Sequence, residues 1–207
     1  MTLYQNEFRV ESTRLREYDY SSSGAYFVTV CTKNHEALFG SIINGSMVFS
    51  EIGVLVKKEW EKSFEIRLEL FGDEYVIMPN HVHGIVVIDR DRGLRDARRA
   101  YGDACHASLH HQPTPHGVAV RTPRSLSSFV AGFKSAVTRR IDENLKTPNR
   151  SIWQSRFFER VIRNDDEMNR IRQYIMNNPA KWQEDKYNNC RDARRASHEE
   201  HQSVLPV

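Results

Sequence analysis

The chain has 207 residues, 39% hydrophobic and 28% charged, with a formal net charge of +3 at pH 7, which suits one globular domain with a real core plus an arm, an insert or a tail. No hydrophobic run is long enough to span a bilayer as a helix and no charged, apolar, small-residue leader starts at Met1, so an unprocessed cytoplasmic protein is expected. Three scattered cysteines, Cys31, Cys105 and Cys190, have no CxxC spacing and cannot all pair within the chain, which excludes a disulfide scaffold and leaves reduced thiols.

Residues 1–24 read as an irregular basic and aromatic arm, with Arg14, Arg16, Tyr18 and Tyr20 ahead of three serines and Gly24. The β-branched run from 26 to 31 is the first core strand. Residues 42–49 form a small hairpin around Asn44-Gly45, the favoured pair for a tight primed turn. Ser50 then caps a helix over 51–64, in which Ile52, Leu55, Val56, Trp60 and Phe64 share one stripe at helical spacing.

From Tyr75 to Ile88 the chain reads as two apolar strands broken by the turn Pro79-Asn80. At a period of two, His81 and His83 leave the same face of the second strand, near enough for two imidazoles to hold one divalent ion. A His-hydrophobic-His pair alone equally describes two histidines on a half-exposed strand.

Beyond Ile88 a polar stretch, 89–123, is too long for an ordinary loop and reads as an insert. Within it Arg95-Asp96-Ala97-Arg98-Arg99-Ala100 recurs unchanged as Arg191-Asp192-Ala193-Arg194-Arg195-Ala196, each copy followed by histidines. Two copies without apolar periodicity do not make a solenoid; an inserted repetitive DNA element encoding disordered polypeptide explains both. Cys105, His106, His110 and His111 read as a surface loop rather than a metal site.

From Ser125, Leu126, Phe129, Val130, Phe133, Val137 and Ile141 mark a helix whose polar face carries Lys134, Arg139 and Arg140. Residues 151–162 read as the last strand, with Gln154, Arg156, Phe158 and Arg160 on one face. Asn164 supplies an N-cap, Asp165 and Asp166 a negative first turn, and Glu167 the capping-box position of a further helix. There Met168, Ile171 and Ile175 form the buried stripe, Tyr174 its edge, and Asn178 lies one turn beyond Tyr174 before Pro179. The tail, 185–207, is polar and expected to be disordered. Charge is uneven: residues 121–163 hold ten Lys or Arg against three acids, a local net of +7, and the remainder of the chain is net negative at −4. Such concentration suits a phosphate-backbone binder, although a solvated basic helix looks the same.

Together the elements run strand, helix, strand, strand, helix, strand, helix. This is the βαββαβ order of an α+β, ferredoxin-like (RRM-like) antiparallel sheet, plus a C-terminal helix carrying the tyrosine. Residues 25–184, apart from the insert, form one domain. The stretches 26–34, 76–88 with Met78-Pro79-Asn80-His81-Val82-His83-Gly84, 125–135, and 153–179 from Trp153-Gln154 through Arg163-Asn164 to Tyr174 and Asn178-Pro179 resemble the single-tyrosine HUH transposases. Within that superfamily of insertion-sequence transposases the chain is most similar to the REP-associated branch, over most of residues 12–184.

The resemblance implies a DNA transposase, a metal-dependent nickase and strand transferase of single-stranded DNA, nucleoid-associated when bound, cutting at hairpin-associated sites. It implies that Tyr174 attacks a phosphate to form a 5′-phosphotyrosine link and that His81 and His83 hold Mg²⁺ or Mn²⁺, the nitrogen ligands making Mn²⁺ the easier fit. Asn178 matches the position of a third ligand. The chemistry is consistent, because a phenol is a poor nucleophile at neutral pH and a phosphodiester needs a cation to stabilise charge in the transition state. Arg121, Arg124, Lys134, Arg139, Arg140, Arg156, Arg160 and Arg163 are the candidates for DNA-backbone contact. Relatives act as homodimers or as monomers, and the sequence leaves both open. Two rivals remain: an inactive, domesticated hairpin-binding protein, and a ferredoxin-like RNA-binding module, for which the strands lack an exposed aromatic pattern.

Overall fold

The computed structural model describes residues 3–4, 7–8, 18–92, 124–145 and 151–188. Arg121, both six-residue repeats, the histidines that follow them, most of the insert and the tail beyond 188 lie outside the described residues. Two short strands, β1 (Leu3–Tyr4) and β2 (Glu7–Phe8), pair near the N-terminus. The domain then runs β3 (Gly24–Cys31), β4 (Gly40–Ile43), β5 (Ser46–Phe49), α1 (Glu51–Glu65), β6 (Leu70–Met78), β7 (His81–Ile88), α2 (Leu126–Leu145), β8 (Phe158–Ile162) and α3 (Asp165–Asn177).

The central sheet has the order β6-β7-β3-β8 with every neighbouring pair antiparallel. This is the ferredoxin-like arrangement, two interleaved βαβ units, with the hairpin β4–β5 inserted before α1 and with α3 added at the end.

Local chemistry sets the element ends. Asn44 and Gly45 adopt φ of 50° and 74°, the left-handed pair that a two-residue hairpin turn requires. Ser50 accepts from Gly53 N at 3.0 Å and donates to Leu38 O at 2.6 Å, so one hydroxyl caps α1 and ties it to the preceding loop. At α3, Asn164 Oδ1 accepts from Glu167 N at 2.9 Å, capping the helix, while Glu167 Oε2 accepts from Arg163 N at 3.0 Å, one residue ahead of the cap.

Alternation along β3 and β7 divides the core in two. Tyr26, Val28, Val30, Val82 and Val86 face α1 and α2, where Trp60 is fully buried within 5.6 Å, ring to ring, of Phe64, Phe129 and Phe133. Gly84 lies under that indole: a Cβ there would stand 2.4 Å from Trp60, so only glycine lets β7 pass. Phe27, Ile85 and Ile162 face the other way and are covered by Ile175 of α3, with Met168 and Ile171 beside it.

Two sequence expectations need correction. The last strand begins at Phe158, not 151: Gln154 and Arg156 lie in irregular chain whose carbonyls accept from Lys134 Nζ at 2.6 and 3.2 Å. Carbonyls committed to an amine on α2 are unavailable to a ladder, and only Trp153 makes an isolated bridge, to Thr32. The strand before the histidines is also longer than expected, starting at Leu70 and shifting register between Gly72 and Tyr75. That irregularity presents Asp73 to Arg172 of α3 in a two-pronged ion pair, both contacts at 2.7 Å.

Candidate active site

The turn Pro79-Asn80 places His81 and His83 at the start of β7, opposite Cys31 and Thr29 of β3. Both imidazoles are buried, their ring centroids 4.4 Å apart, on the α3 side of the sheet. Burial pushes both pKa values down, that of His83 to about 3, and the neighbouring imidazoles and Lys186 push further in the same direction for His81. Both rings are therefore neutral at ordinary pH, each with one N–H and one lone pair.

Hydrogen bonds decide which nitrogen carries the lone pair. His81 Nδ1 meets Asn80 Oδ1 at 2.8 Å, so it is the N–H. His83 Nδ1 meets Thr29 Oγ1 at 2.8 Å and its Nε2 meets the Tyr174 phenol at 3.2 Å; a phenol giving its proton to Nε2 leaves the ring proton on Nδ1, so the threonine accepts from the ring. Both Nε2 lone pairs then point into the same space.

His81 Nε2 is buried without a hydrogen-bond partner, and Asp185 Oδ2 lies 3.9 Å away. A neutral imidazole lone pair facing a carboxylate is two acceptors with no proton between them, an arrangement that repels unless a cation intervenes. Ligand atoms of His81, His83 and Asp185 all lie within 4.8 Å of one another. The donor set, two nitrogens and one carboxylate, with each imidazole anchored through its other nitrogen, fits a divalent metal ion.

Tyr174 completes the group. Its phenol oxygen lies 3.2 Å from His83 Nε2, although the side chain as a whole is 45% exposed, open toward solvent on one side. The ring stacks edge-on against Phe27, 6.0 Å between centroids. Its pKa is raised, first by burial and then by Asp185, against the opposing effects of the Asn178 amide and the charge of Lys186. The phenol is thus protonated at neutral pH and needs help to act as a nucleophile. Asn178, the C-cap of α3, is buried at 4% exposure with its Oδ1 unpartnered.

The expected DNA-contacting residues are scattered by comparison. Lys134 is held by the backbone of Gln154 and Arg156. Arg140 pairs with Glu59 and Glu143, Arg139 with Glu143, and Arg160 with Glu167 at 2.6 Å. Arg124, Arg156 and Arg163 are exposed. Lys134 and Arg139 share a shallow groove on α2 with Ser135, Thr138 and Asp142.

Sequence reasoning missed the contribution of the segment after α3. Residues 185–188, read as the start of the polar tail, instead return to the histidines: Tyr187 sits 4.7 Å from the His81 ring and stacks on His35 at 5.3 Å. Burial pushes its phenol pKa up to about 12. Nothing in the local pattern of Glu184-Asp185-Lys186 marks a ligand, because the contact is made only by the chain folding back across the sheet.

No protein-family model matches the chain. An uncharacterized protein of Haemophilus influenzae is 36% identical over 175 residues, covering 84% of this chain and 90% of that protein. Among solved structures, that of the REP-associated tyrosine transposase bound to a REP hairpin superposes with a TM-score of 0.51 at 20% identity, over 82% of this chain and 74% of that one. The chain belongs to one family with the Haemophilus influenzae protein, and its fold is that of the REP-associated tyrosine transposase.

Proposed function

We propose that the protein is a transposase-type enzyme, a metal-dependent endonuclease and strand transferase of single-stranded DNA that uses Tyr174 as nucleophile at hairpin-associated sites. The observation that carries this reading is the meeting of a half-exposed phenol with two buried, neutral imidazoles, 3.2 Å from Tyr174 to His83, beside the carboxyl group of Asp185. The fold shared with a transposase solved on a REP hairpin supports DNA as the partner.

His81, His83 and Asp185 would hold the cation, with Asn178 Oδ1 as a further oxygen donor; Mg²⁺ or Mn²⁺ is the expected ion, and the nitrogen pair favours Mn²⁺. When bound, it would supply positive charge beside the phosphate and the leaving oxygen. The remaining work falls to the chain. Asp73 and Arg172 clamp α3 to β6, and Phe27 backs the phenol ring, so Tyr174 is presented at a fixed height above the sheet.

Attack forms a bond from the Tyr174 oxygen to phosphorus and breaks the bond from phosphorus to the 3′-oxygen. The phenol loses its proton and the 3′-oxygen gains one, leaving a 5′-phosphotyrosine and a free 3′-hydroxyl. Attack by a 3′-hydroxyl on that link reverses the step, so cutting and joining need no nucleotide cofactor. Exposed Arg124, Arg139, Arg156 and Arg163 are proposed to meet the DNA backbone, and Lys134, Arg140 and Arg160 to do so where their present partners release them; Arg121 is proposed on charge alone. Tyr174 reaches His83 of its own chain, so each catalytic group named here is present in a single copy. The RNA-module reading would need an open sheet face, whereas α1 and α2 cover one side and α3 with residues 185–188 the other.

The test is incubation of the protein with end-labelled hairpin DNA bearing single-stranded flanks, with Mn²⁺. A denaturant-resistant adduct that EDTA prevents supports the reading. A gel shift with no adduct under any divalent ion would leave a hairpin-binding protein without cleavage activity.

A further inference from the structure

Asn80 occupies the turn between β6 and β7 and is almost wholly buried, 1% exposed. Its backbone carbonyl accepts from Thr32 N at 2.9 Å and Thr32 Oγ1 at 3.0 Å, so the turn is tied to the end of β3 without help from the side chain. The side chain is occupied elsewhere. Nδ2 donates to His35 O at 3.0 Å and to Tyr187 O at 2.6 Å, which uses both amide protons. Turning the amide over would set its oxygen against two carbonyl oxygens, so the orientation is fixed. Oδ1 is thereby left facing His81 Nδ1 at 2.8 Å, and an acceptor at that point forces the ring proton onto Nδ1 and the lone pair onto Nε2.

One amide is therefore hydrogen-bonded both to the His81 ring and to the segment that carries Asp185. It selects the His81 tautomer that can bind a cation, and through the Tyr187 carbonyl it holds the returning segment two residues beyond Asp185. Free, that segment would have to close a loop from the end of α3 before Asp185 could face His81, at an entropic cost that the Nδ2 hydrogen bond to Tyr187 O helps offset. We propose that Asn80 is a positioning residue that couples His81 and Asp185 into one cation site, binding no metal itself. The inference rests on the metal-dependent reading above.

It is tested on the full-length chain by titrating Mn²⁺ without DNA, following free Mn²⁺ by electron paramagnetic resonance, and by hydrogen exchange over residues 182–188. Asn80→Ala is expected to weaken Mn²⁺ binding by about 10–100-fold, the usual range for a ligand's hydrogen-bond partner. Asp185→Ala should also weaken it, and the double variant should bind no more than a few-fold worse than Asn80→Ala, because the second change removes a group the first has already released. Asn80→Asp keeps an acceptor for His81 but cannot donate to Tyr187 O. It should bind with intermediate affinity and show the same loss of protection at 182–188 as Asn80→Ala, providing the same test should the alanine variant fold poorly. Wild-type Mn²⁺ affinity in both Asn80 variants, or fully multiplicative losses in the double variant, would overturn the proposal. His81→Ala separates this from failure of the wider reading: if it binds Mn²⁺ as tightly as the wild type, the metal site itself is wrong.

Discussion

The two faces of the central sheet are drawn from alternate residues of the same strands, yet they are filled by opposite strategies. Toward α1 and α2 the strands offer Tyr26, Val28, Val30, Val82 and Val86 to a cluster of large aromatics around Trp60. Toward α3 the apolar cover is a small cluster, Phe27, Ile85, Ile162 and Ile175, and at the start of β7 it gives way to Thr29, His81 and His83. Burial on the first face stabilises the fold. On the second it strips water from imidazoles and costs stability, which the first face must offset.

Changes on the two faces should therefore separate activity from folding. The largest effect belongs to Tyr174→Phe, which should abolish adduct formation while changing unfolding free energy by about 1 kcal/mol or less, since only one hydrogen bond to His83 is lost. Trp60→Ala on the opposite face should cost about 3–5 kcal/mol by urea unfolding, the range for emptying a fully buried aromatic position. If Trp60→Ala left stability intact while Tyr174→Phe unfolded the chain, the division of labour between the faces would be wrong.

Acid should sharpen the same contrast. His83, with its pKa held near 3 by burial against 6.5 for the free group, binds fewer protons folded than unfolded between those values. Stability is thus fully present above about pH 6.5 and falls as pH drops toward 3. The urea midpoint should decline from pH 7 to pH 5, and His83→Gln should flatten that decline. A wild-type midpoint that does not move over this interval would contradict the neutral, desolvated state of these rings.

Smaller effects are expected at the edges of the second face. Asp73→Asn should slow adduct formation a few-fold with DNA affinity unchanged, and exchanging the charges at 73 and 172 should restore part of the rate if the clamp acts by placing α3. Arg139→Ala, at an exposed ion pair, should leave the melting temperature unchanged and reduce the salt dependence of DNA binding by roughly 0.7 in log-log slope if it meets one phosphate of a single strand.

Most of the fold could be read from local signals. The period-two histidines, the Asn44-Gly45 turn, the caps Ser50 and Asn164 and the apolar stripes of three helices are each decided within a few residues, and the structure places them as expected. Residues 151–157 misled because their alternation resembles a strand, while the decisive event, Lys134 reaching across from α2 to take two carbonyls, is non-local. Asp185 was illegible for a similar reason. A carboxylate in a polar stretch carries no pattern of its own, and it nears His81 only because the chain folds back to where Asn80 meets Tyr187, 107 residues away. Asn178, by contrast, is set by helical spacing one turn beyond Tyr174, and the structure has it buried as the C-cap of α3.

Two phenols, Tyr174 and Tyr187, stand within 6.1 Å, ring to ring, of His83, and only one of them is exposed and hydrogen-bonded to its Nε2. The most direct measurement is peptide mapping by mass spectrometry of the protein after reaction with hairpin DNA and Mn²⁺, followed by nuclease trimming. A nucleotide mass on the peptide containing Tyr174 and on no other is the expected result; a nucleotide on Tyr187, or an unmodified Tyr174 in protein that has cut its DNA, would contradict it.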